Sequence, residues 1–260
     1  MKAASITSAD TPWRPAPENL VLGCDEIHVW RASLNQIPSQ IERFLHSLAA
    51  DERARAERFH FERDREHFIT ARGVLRAILG RYVKRVPDCL SFYYGSHGKP
   101  VLAEESGETA IRFNVSHSHE VALYAVARGR EVGIDLEHIR FDLAVVEIAE
   151  RFFSRQEVAM LRTLPAEAQF QAFFRCWTRK EAYIKARGEG LSLPLDHLDL
   201  SPAPGGPGAI RGAQLDPSEA SRWSFQEFTP AAGYVASLVA EGHGWRLTCW
   251  QWPDSKRQSV

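Results

Sequence analysis

The spacing of apolar residues changes several times along this chain of 260 residues, and the order of the changes restricts the possible folds. Alternating apolar residues over 26–31 indicate a strand, and helical spacing follows over 38–86. Strand-like runs, a second helical block and a final set of strand-like runs come after it. This repeated order of strands and helices predicts an α+β protein of two similar halves that meet near Gly129.

Local sequence signals set the expected bounds of these runs. Asp51 is the predicted N-cap of a helix in the first block. The second helical block covers 143–186, where Ser154 and Glu157 have the spacing of a capping box and Pro165 interrupts the helix. An antiparallel meander is expected between the two blocks, with strands over 111–115, 121–127 and 131–137. Later strands are expected near 196–201, 222–228, 233–240 and 245–251, around a Pro/Gly linker at 202–208.

The same patterns predict the domain boundaries. Residues 1–24 are polar and interrupted by proline, as is typical of an irregular leader. An N-terminal lobe is expected over 25–129, a C-terminal lobe over 130–253 and a tail over 254–260.

Charge and cysteine content exclude several classes of protein. The 32 Lys and Arg residues nearly balance the 33 Asp and Glu residues, so no overall field attracts nucleic acid or an anionic membrane. There is no run of 18 apolar residues, and Asp10 with its neighbouring prolines does not suit a secretory signal. The four widely spaced cysteines lack a CxxC pair and are typical of reduced thiols. We therefore expect a cytoplasmic protein with no nucleic-acid or membrane partner.

The segment Gly133–Glu137 brings two carboxylates to one side of a predicted strand. Side chains alternate along a strand, so Asp135 and Glu137 face away from Ile134 and Leu136. Two like charges this close favour a cation between them, and carboxylate oxygens suit a hard ion such as Mg²⁺. A solvent-exposed acidic face is the commoner explanation for such a pair, and it stays open here.

A second group lies on the last helix of the second block. Trp177, Glu181 and Lys185 have i, i+4, i+8 spacing and share one helix face. Glu181 can serve as a third carboxylate for a metal, and Lys185 can neutralise phosphate oxygens. A surface ion pair between Glu181 and Lys185, with Trp177 in the core, explains the same pattern without a function.

Basic residues elsewhere suit a polyanion. The stretch 68–85 holds five basic residues and no acid, and Arg72 and Arg76 form an i, i+4 pair in it. Lys99 lies in a rigid Gly-Lys-Pro turn that would hold one ammonium in place. His117 can bind a metal or a phosphate, or it can stabilise its loop. An exposed basic helix face is the commoner explanation of the Arg72 and Arg76 pair.

Taken together, six short motifs over 51–199 resemble those of the 4′-phosphopantetheinyl transferases. The resemblance is to the longer, two-lobed branch that activates carrier domains of peptide and polyketide synthases. The matching motifs are Gly98–Pro100, Phe113–Ser118, Val132–Glu137, Arg151–Ser154 with Glu157, Trp177–Lys185 and Gly190–Leu193.

The resemblance implies a fold and a set of site residues. The fold is a pseudo-twofold α+β monomer that holds coenzyme A in the cleft between its lobes, with Mg²⁺ or Mn²⁺ on the pyrophosphate. Asp135, Glu137 and Glu181 match the metal-binding carboxylates, and Glu181 is the candidate base. Lys185 matches a lysine on the pyrophosphate. The remaining candidates for phosphate contacts are Arg55, Arg72, Lys99, Ser116 and His117, with Arg72 the weakest.

The implied reaction transfers the 4′-phosphopantetheine group of coenzyme A to a serine of an apo acyl- or peptidyl-carrier domain and releases 3′,5′-ADP. Positioning and charge neutralisation carry most of such a phosphoryl transfer. Two alternatives stay open. The chain can be a non-catalytic module that binds coenzyme A or carrier domains, or a nucleic-acid binder that uses the basic helix over 68–85.

Overall fold

The computed structural model describes residues 12–95, 97–103, 110–188, 190, 195–200 and 221–253. Four predicted features lie wholly or partly outside these residues: the linker at 202–208, the motif after Gly190, the first part of the leader and the tail.

The described elements follow one another in mixed order. First come β1 (Arg14–Pro15), β2 (Glu26–Ser33), α1 (Pro38–Ser47), α2 (Ala50–Ala56), α3 (Glu62–Val83), β3 (Phe92–Tyr94), β4 (Pro100–Leu102), β5 (Ile111–Ser118) and β6 (Val121–Arg128). They are followed by β7 (Val132–His138), α4 (Val145–Phe152), α5 (Arg155–Thr163), α6 (Ala166–Arg187), β8 (Trp223–Phe228), β9 (Tyr234–Glu241) and β10 (Arg246–Gln251). Short 3₁₀ helices lie at Pro87–Cys89 and Leu195–His197. The protein is therefore of the α+β class.

The chain divides into two compact units. The first unit consists of residues 13–130 with 245–253, and the second consists of Pro12 with the described residues of 131–244.

The first unit is built on a five-stranded sheet of order β1-β10-β2-β6-β5. β10 pairs parallel with both β1 and β2, whereas β6 pairs antiparallel with both β2 and β5. β3 and β4 form a separate hairpin that the sequence did not predict. The helical spacing over 68–85 is confirmed, since α3 buries its apolar face.

Hydrogen bonds join this sheet to α3. The Tyr82 hydroxyl lies 2.8 Å from both Nε1 of Trp30 and Nδ1 of His28, two residues of β2. Tyr124 of β6 donates its hydroxyl hydrogen to the Ala71 carbonyl at 3.0 Å. Burial lowers the pKa of His28 to about 4, so the imidazole is neutral in the folded protein near pH 7.

The second unit is a three-stranded antiparallel sheet of order β7-β9-β8 against which α6 packs. The capping box of Ser154 and Glu157 is confirmed at the start of α5, where each residue's backbone N–H donates to the other's side chain. α6 begins at Ala166, directly after Pro165, as the sequence predicts.

The predicted meander is wrong in its third strand. β5 and β6 pair as expected, but β7 pairs with β9 instead of β6. The reason is that β6 already has β5 on one edge and β2 on the other, so it offers no free edge.

Four other expectations are corrected. β10 is a strand as predicted, but it pairs with β2 in the first unit instead of belonging to the C-terminal lobe. The region expected as a strand at 196–201 holds the 3₁₀ helix. Asp51 is not an N-cap: Ala49 precedes α2, and Glu52 accepts the Ala49 N–H at 2.9 Å. The later part of the leader is ordered, since β1 pairs with β10.

Two further observations bear on the composition. All four cysteines are free thiols. Among the residues that the structure describes, no helix has the length and apolar character needed to cross a membrane.

Candidate active site

A close contact between β7 and α6 forms the site in the second unit. A Cβ atom added to Gly133 would lie 2.0 Å from the Ala182 carbonyl oxygen and 2.3 Å from the Ala186 nitrogen. Only glycine therefore allows the α6 backbone to approach the strand this closely. Asp135 lies two residues further along β7 and faces the same way as Gly133, so it also faces the helix.

Asp135 and Lys185 form an ion pair across this contact. Lys185 Nζ lies 2.5 Å from Asp135 Oδ1. Asp135 is only 4% exposed, and a buried carboxylate is tolerated when a cation and hydrogen bonds compensate its charge. Lys185 is partly exposed, so its ammonium group can reach both the buried carboxylate and a ligand at the surface.

Glu181 belongs to the same electrostatic cluster. Its pKa is raised, first by burial and then by the negative charge of Asp135, while Lys185 acts in the opposite direction. A carboxylate with a raised pKa is a stronger proton acceptor than an ordinary one, so Glu181 is suited to accept a proton from a substrate hydroxyl. Asp135, Glu181 and Lys185 are hereafter called the acid–lysine cluster.

Trp177 does not belong to this cluster. Its ring stacks on Phe173 with centroids 5.9 Å apart and meets Phe152 edge to face at 5.5 Å. The core interpretation of Trp177 is therefore correct.

The described residues group fewer candidate metal ligands than the three carboxylates that the resemblance implies. Glu137 lies on the same face of β7 as Asp135 and is partly buried. Within the described ranges, no three His, Cys, Asp or Glu side chains are grouped so as to hold a metal ion. Asp135 and Glu181 nevertheless provide the oxygen donors and negative charge that Mg²⁺ prefers. The metal role of Asp135, Glu137 and Glu181 stays a prediction.

Side chains beside the cluster hold α6 in place. Thr178 Oγ1 lies 2.9 Å from Oγ of Ser237, which is the register partner of Asp135 on β9. Arg179 Nε lies 2.5 Å from a Glu227 carboxylate oxygen on β8. These bonds join the helix to both strands that follow it.

Lys180 is a structural residue that the sequence pattern did not reveal. It is fully buried, with Nζ 2.8 Å from Glu157 Oε2. The ammonium also donates to the carbonyls of Leu195 at 2.7 Å and Leu198 at 2.5 Å. Spacing places Lys180 off the face of Glu181, but its partners are distant in sequence and no local signal could identify them.

Arg72, the weakest candidate in the first unit, is engaged in a structural network. Its Nε lies 2.9 Å from Oε1 of Glu52, and Arg76 Nε lies 2.6 Å from Oε2. Both guanidinium groups lie over the ring of Phe92, at 5.0 and 5.2 Å. The contacts with Glu52 and Phe92 give Arg72 a structural role, and its contact with a ligand phosphate stays a prediction.

Arg55 and Lys99 are better placed for a ligand. Arg55 is exposed on α2, and its guanidinium lies 5.4 Å from the ring centroid of Phe68. Lys99 is partly buried in the turn between β3 and β4, where its carbonyl accepts the Gly95 N–H at 3.0 Å. Gly98 has a φ of +77°, a conformation that glycine adopts without strain.

Ser116 and His117 lie on a strand and not in the predicted loop. They are among the last residues of β5 and pair with Leu123 and Ala122 of β6. Ser116 is buried and His117 is exposed, which is the alternation expected at a sheet edge that meets solvent. The sequence did not identify His67 of α3, whose pKa is lowered first by burial and then by the charges of Arg63 and His117.

Family models match both halves of the chain. Residues 131–239 match the model described as the 4′-phosphopantetheinyl transferase superfamily. Residues 30–128 match the model described as the N-terminal part of a 4′-phosphopantetheinyl transferase. The two matches together include every site residue discussed above.

Curated relatives extend over most of the chain. The 4′-phosphopantetheinyl transferase HetI of Nostoc sp. is 40% identical over 92% of this chain and 98% of the relative. The Bacillus subtilis 4′-phosphopantetheinyl transferase Sfp is 30% identical over 61% of this chain and 68% of the relative. A human L-aminoadipate-semialdehyde dehydrogenase-phosphopantetheinyl transferase is 30% identical over 74% of this chain and 67% of the relative.

Solved structures are more distant. A structure titled as the Chronobacterium ammoniagenes ACPS–CoA complex is 17% identical, with a TM-score of 0.35, over 44% of this chain and 98% of that chain. The two family models and the relative that spans nearly the whole chain show that the chain belongs to the 4′-phosphopantetheinyl transferase superfamily.

Proposed function

We propose that this chain transfers the 4′-phosphopantetheine group of coenzyme A to a serine hydroxyl of an apo acyl- or peptidyl-carrier domain. The observation that carries the proposal is the acid–lysine cluster, in a region that matches the superfamily model. The cluster combines the partly exposed Lys185 with Glu181, a carboxylate whose pKa is raised. These are the two groups that a phosphoryl transfer to a hydroxyl requires from the protein.

In the proposed reaction, the serine oxygen forms a bond to the β-phosphorus of coenzyme A. The bond between that phosphorus and the bridging oxygen of the diphosphate breaks, and 3′,5′-ADP leaves with the bond's electron pair. Glu181 accepts the serine proton, directly or through a water molecule. The Lys185 ammonium offsets the charge that develops on the α-phosphate of the leaving 3′,5′-ADP.

Asp135 keeps Lys185 in position for this role. In the structure the ion pair orients the ammonium beside Glu181. When a divalent cation is bound, Asp135 and Glu181, with Glu137 as the predicted third ligand, would hold it, and the cation would supply further charge neutralisation at the diphosphate.

The first unit supplies the proposed contacts to the nucleotide phosphates. We assign this role to Arg55, Lys99, Ser116 and His117. The proposal also includes a monomer acting in the cytoplasm.

A direct assay tests the proposal. The protein is incubated with coenzyme A, Mg²⁺ and an apo carrier domain, and the carrier's mass is measured. We expect a gain of one phosphopantetheine arm. Coenzyme A binding without transfer to any of several carriers would favour the non-catalytic module instead.

Two matched variants test the role of Glu181. Glu181→Gln should reduce the transfer rate by about 10²-fold or more, because it removes the proton acceptor. Glu167→Gln changes an exposed glutamate in the first turn of the same helix and should keep the wild-type rate. Equal rates in the two variants would contradict the assignment.

A further inference from the structure

A row of polar side chains crosses the sheet of the second unit on the face that packs against α6. Ser237 of β9 is the register partner of Asp135 on β7 and of Glu227 on β8. Directly opposed residues of neighbouring strands point to the same face, so all three side chains lie on the side of the helix. Each of them contacts one residue of α6: Asp135 contacts Lys185, Ser237 contacts Thr178, and Glu227 contacts Arg179.

The middle contact of this row is a hydrogen bond between two hydroxyls. Thr178 Oγ1 lies 2.9 Å from Ser237 Oγ, and both residues are fully buried. Thr178 Oγ1 also lies 3.1 Å from the Arg175 carbonyl oxygen, which can only accept. Thr178 therefore donates its hydrogen to that carbonyl, and its oxygen accepts the hydrogen of Ser237. This hydroxyl pair joins β9 to the backbone of α6.

The position of Thr178 in α6 relates the hydroxyl pair to the acid–lysine cluster. An α-helix turns by about 100° per residue, so a residue seven positions later lies within about 20° of the same line along the helix, about 10 Å further on. Glu181 and Lys185 follow Thr178 by three and seven positions, so the three residues share one face of α6. A rotation of the helix that breaks the hydroxyl pair would therefore also turn Lys185 away from Asp135.

We propose that Thr178 and Ser237 are positioning residues for the transfer reaction, because their hydrogen bond fixes the rotation of α6 and thereby the placement of the acid–lysine cluster. The inference rests on the proposed function, which gives Glu181 and Lys185 their roles in the transfer. Thr178 and Ser237 are buried, so they act through the helix and do not touch the substrate. Loss of the Thr178 hydroxyl would leave the buried Ser237 O–H without this acceptor, which disfavours the present rotation of α6.

Steady-state kinetics of the full chain with coenzyme A and an apo carrier domain test the inference. Thr178→Val keeps the shape of the side chain and removes its hydroxyl. We expect kcat to fall about tenfold, less than the roughly 10²-fold loss for a displacement of about 1 Å, because the other contacts of the row remain. The KM for coenzyme A should change less than about twofold, since the hydroxyl pair does not touch the substrate. Thr178→Ser, which keeps the hydroxyl, should restore most of kcat.

Thr163→Val is the matched control. Thr163 Oγ1 also donates to the carbonyl three residues before it, at 2.7 Å, but Thr163 is exposed at the end of α5. This variant should keep the wild-type kcat.

Labelling of lysines with acetic anhydride gives a measurement that does not depend on catalysis. An ammonium held by a carboxylate reacts slowly, because the reagent needs the free amine. If α6 rotates in Thr178→Val, the acetylation rate of Lys185 relative to the exposed Lys84 should rise about threefold, the effect of losing a partly exposed ion pair. Ser237→Ala removes the other hydroxyl with a smaller change in volume and should give the same rise.

The outcomes separate the inference from the proposed function. If Thr178→Val matches Thr163→Val in both kcat and Lys185 labelling, the hydroxyl pair only stabilises the fold, and the inference is wrong while the proposed function stands. If Thr178→Val does not fold, the same comparison with Ser237→Ala decides. If the wild-type chain transfers nothing to any carrier, the proposed function fails and the positioning role fails with it, even where the labelling shows that the pair places Lys185.

Discussion

Replacing Gly133 by alanine should displace α6 from β7. The added Cβ would lie 2.0 Å from the Ala182 carbonyl oxygen and 2.3 Å from the Ala186 nitrogen. Both atoms belong to backbone, so no side chain can rotate away. The helix or the strand must move by about 1.4 Å to reach an ordinary contact distance of about 3.4 Å.

The expected cost follows from this displacement. Overpacking typically costs about 1–3 kcal/mol, and a forced shift of a whole helix places Gly133→Ala at the upper end, about 3 kcal/mol. The same shift would separate Lys185 from Asp135, which now lie 2.5 Å apart. A misplacement of about 1 Å can lower a catalytic rate about 10²-fold, so the transfer rate should fall by that order.

Urea denaturation and the carrier-mass assay measure the two effects. Gly95→Ala is the matched control, because its added Cβ would meet nothing nearer than the Lys99 carbonyl oxygen at 3.7 Å. The free energy of unfolding of Gly95→Ala should stay within about 0.5 kcal/mol of the wild-type value. If Gly133→Ala has the stability and rate of this control, the close contact does not position the cluster and the reasoning is refuted.

Two more predictions concern stability. Lys180→Met leaves the buried Glu157 carboxylate without its cation and should lower the free energy of unfolding by about 3–5 kcal/mol, whereas Lys84→Met at an exposed position should have little effect in the same urea titration. The pKa of His28 is lowered from its ordinary value of 6.5 to about 4 in the folded protein. Its contribution to the free energy of unfolding is therefore complete above about pH 6.5 and is lost as the pH falls toward 4. The measured free energy of unfolding should fall by up to about 3 kcal/mol across this pH range. His28→Gln should flatten that dependence, and an unchanged slope would contradict the assignment.

Local signals in the sequence predicted much of the secondary structure. Strand and helix periodicities, the capping box at Ser154 and the break at Pro165 each depend on residues within a few positions of one another. The same is true of the candidate site: alternation along a strand placed Asp135 and Glu137 on one face, and helical spacing placed Glu181 beside Lys185. Such spacings describe the chain locally and need no knowledge of the fold.

The tertiary structure decided which elements became neighbours and which charges were neutralised inside the protein. β7 does not pair with β6 as expected, because β5 and β2 occupy both edges of β6. β10 belongs to the first unit because it pairs with the other edge of β2. Arg72 and Lys180 each form an ion pair inside the protein, Arg72 with Glu52 and Lys180 with Glu157. The partners in the ion pairs are about 20 residues apart in the chain, and the paired strands are further apart still, so these contacts form only when the whole unit packs.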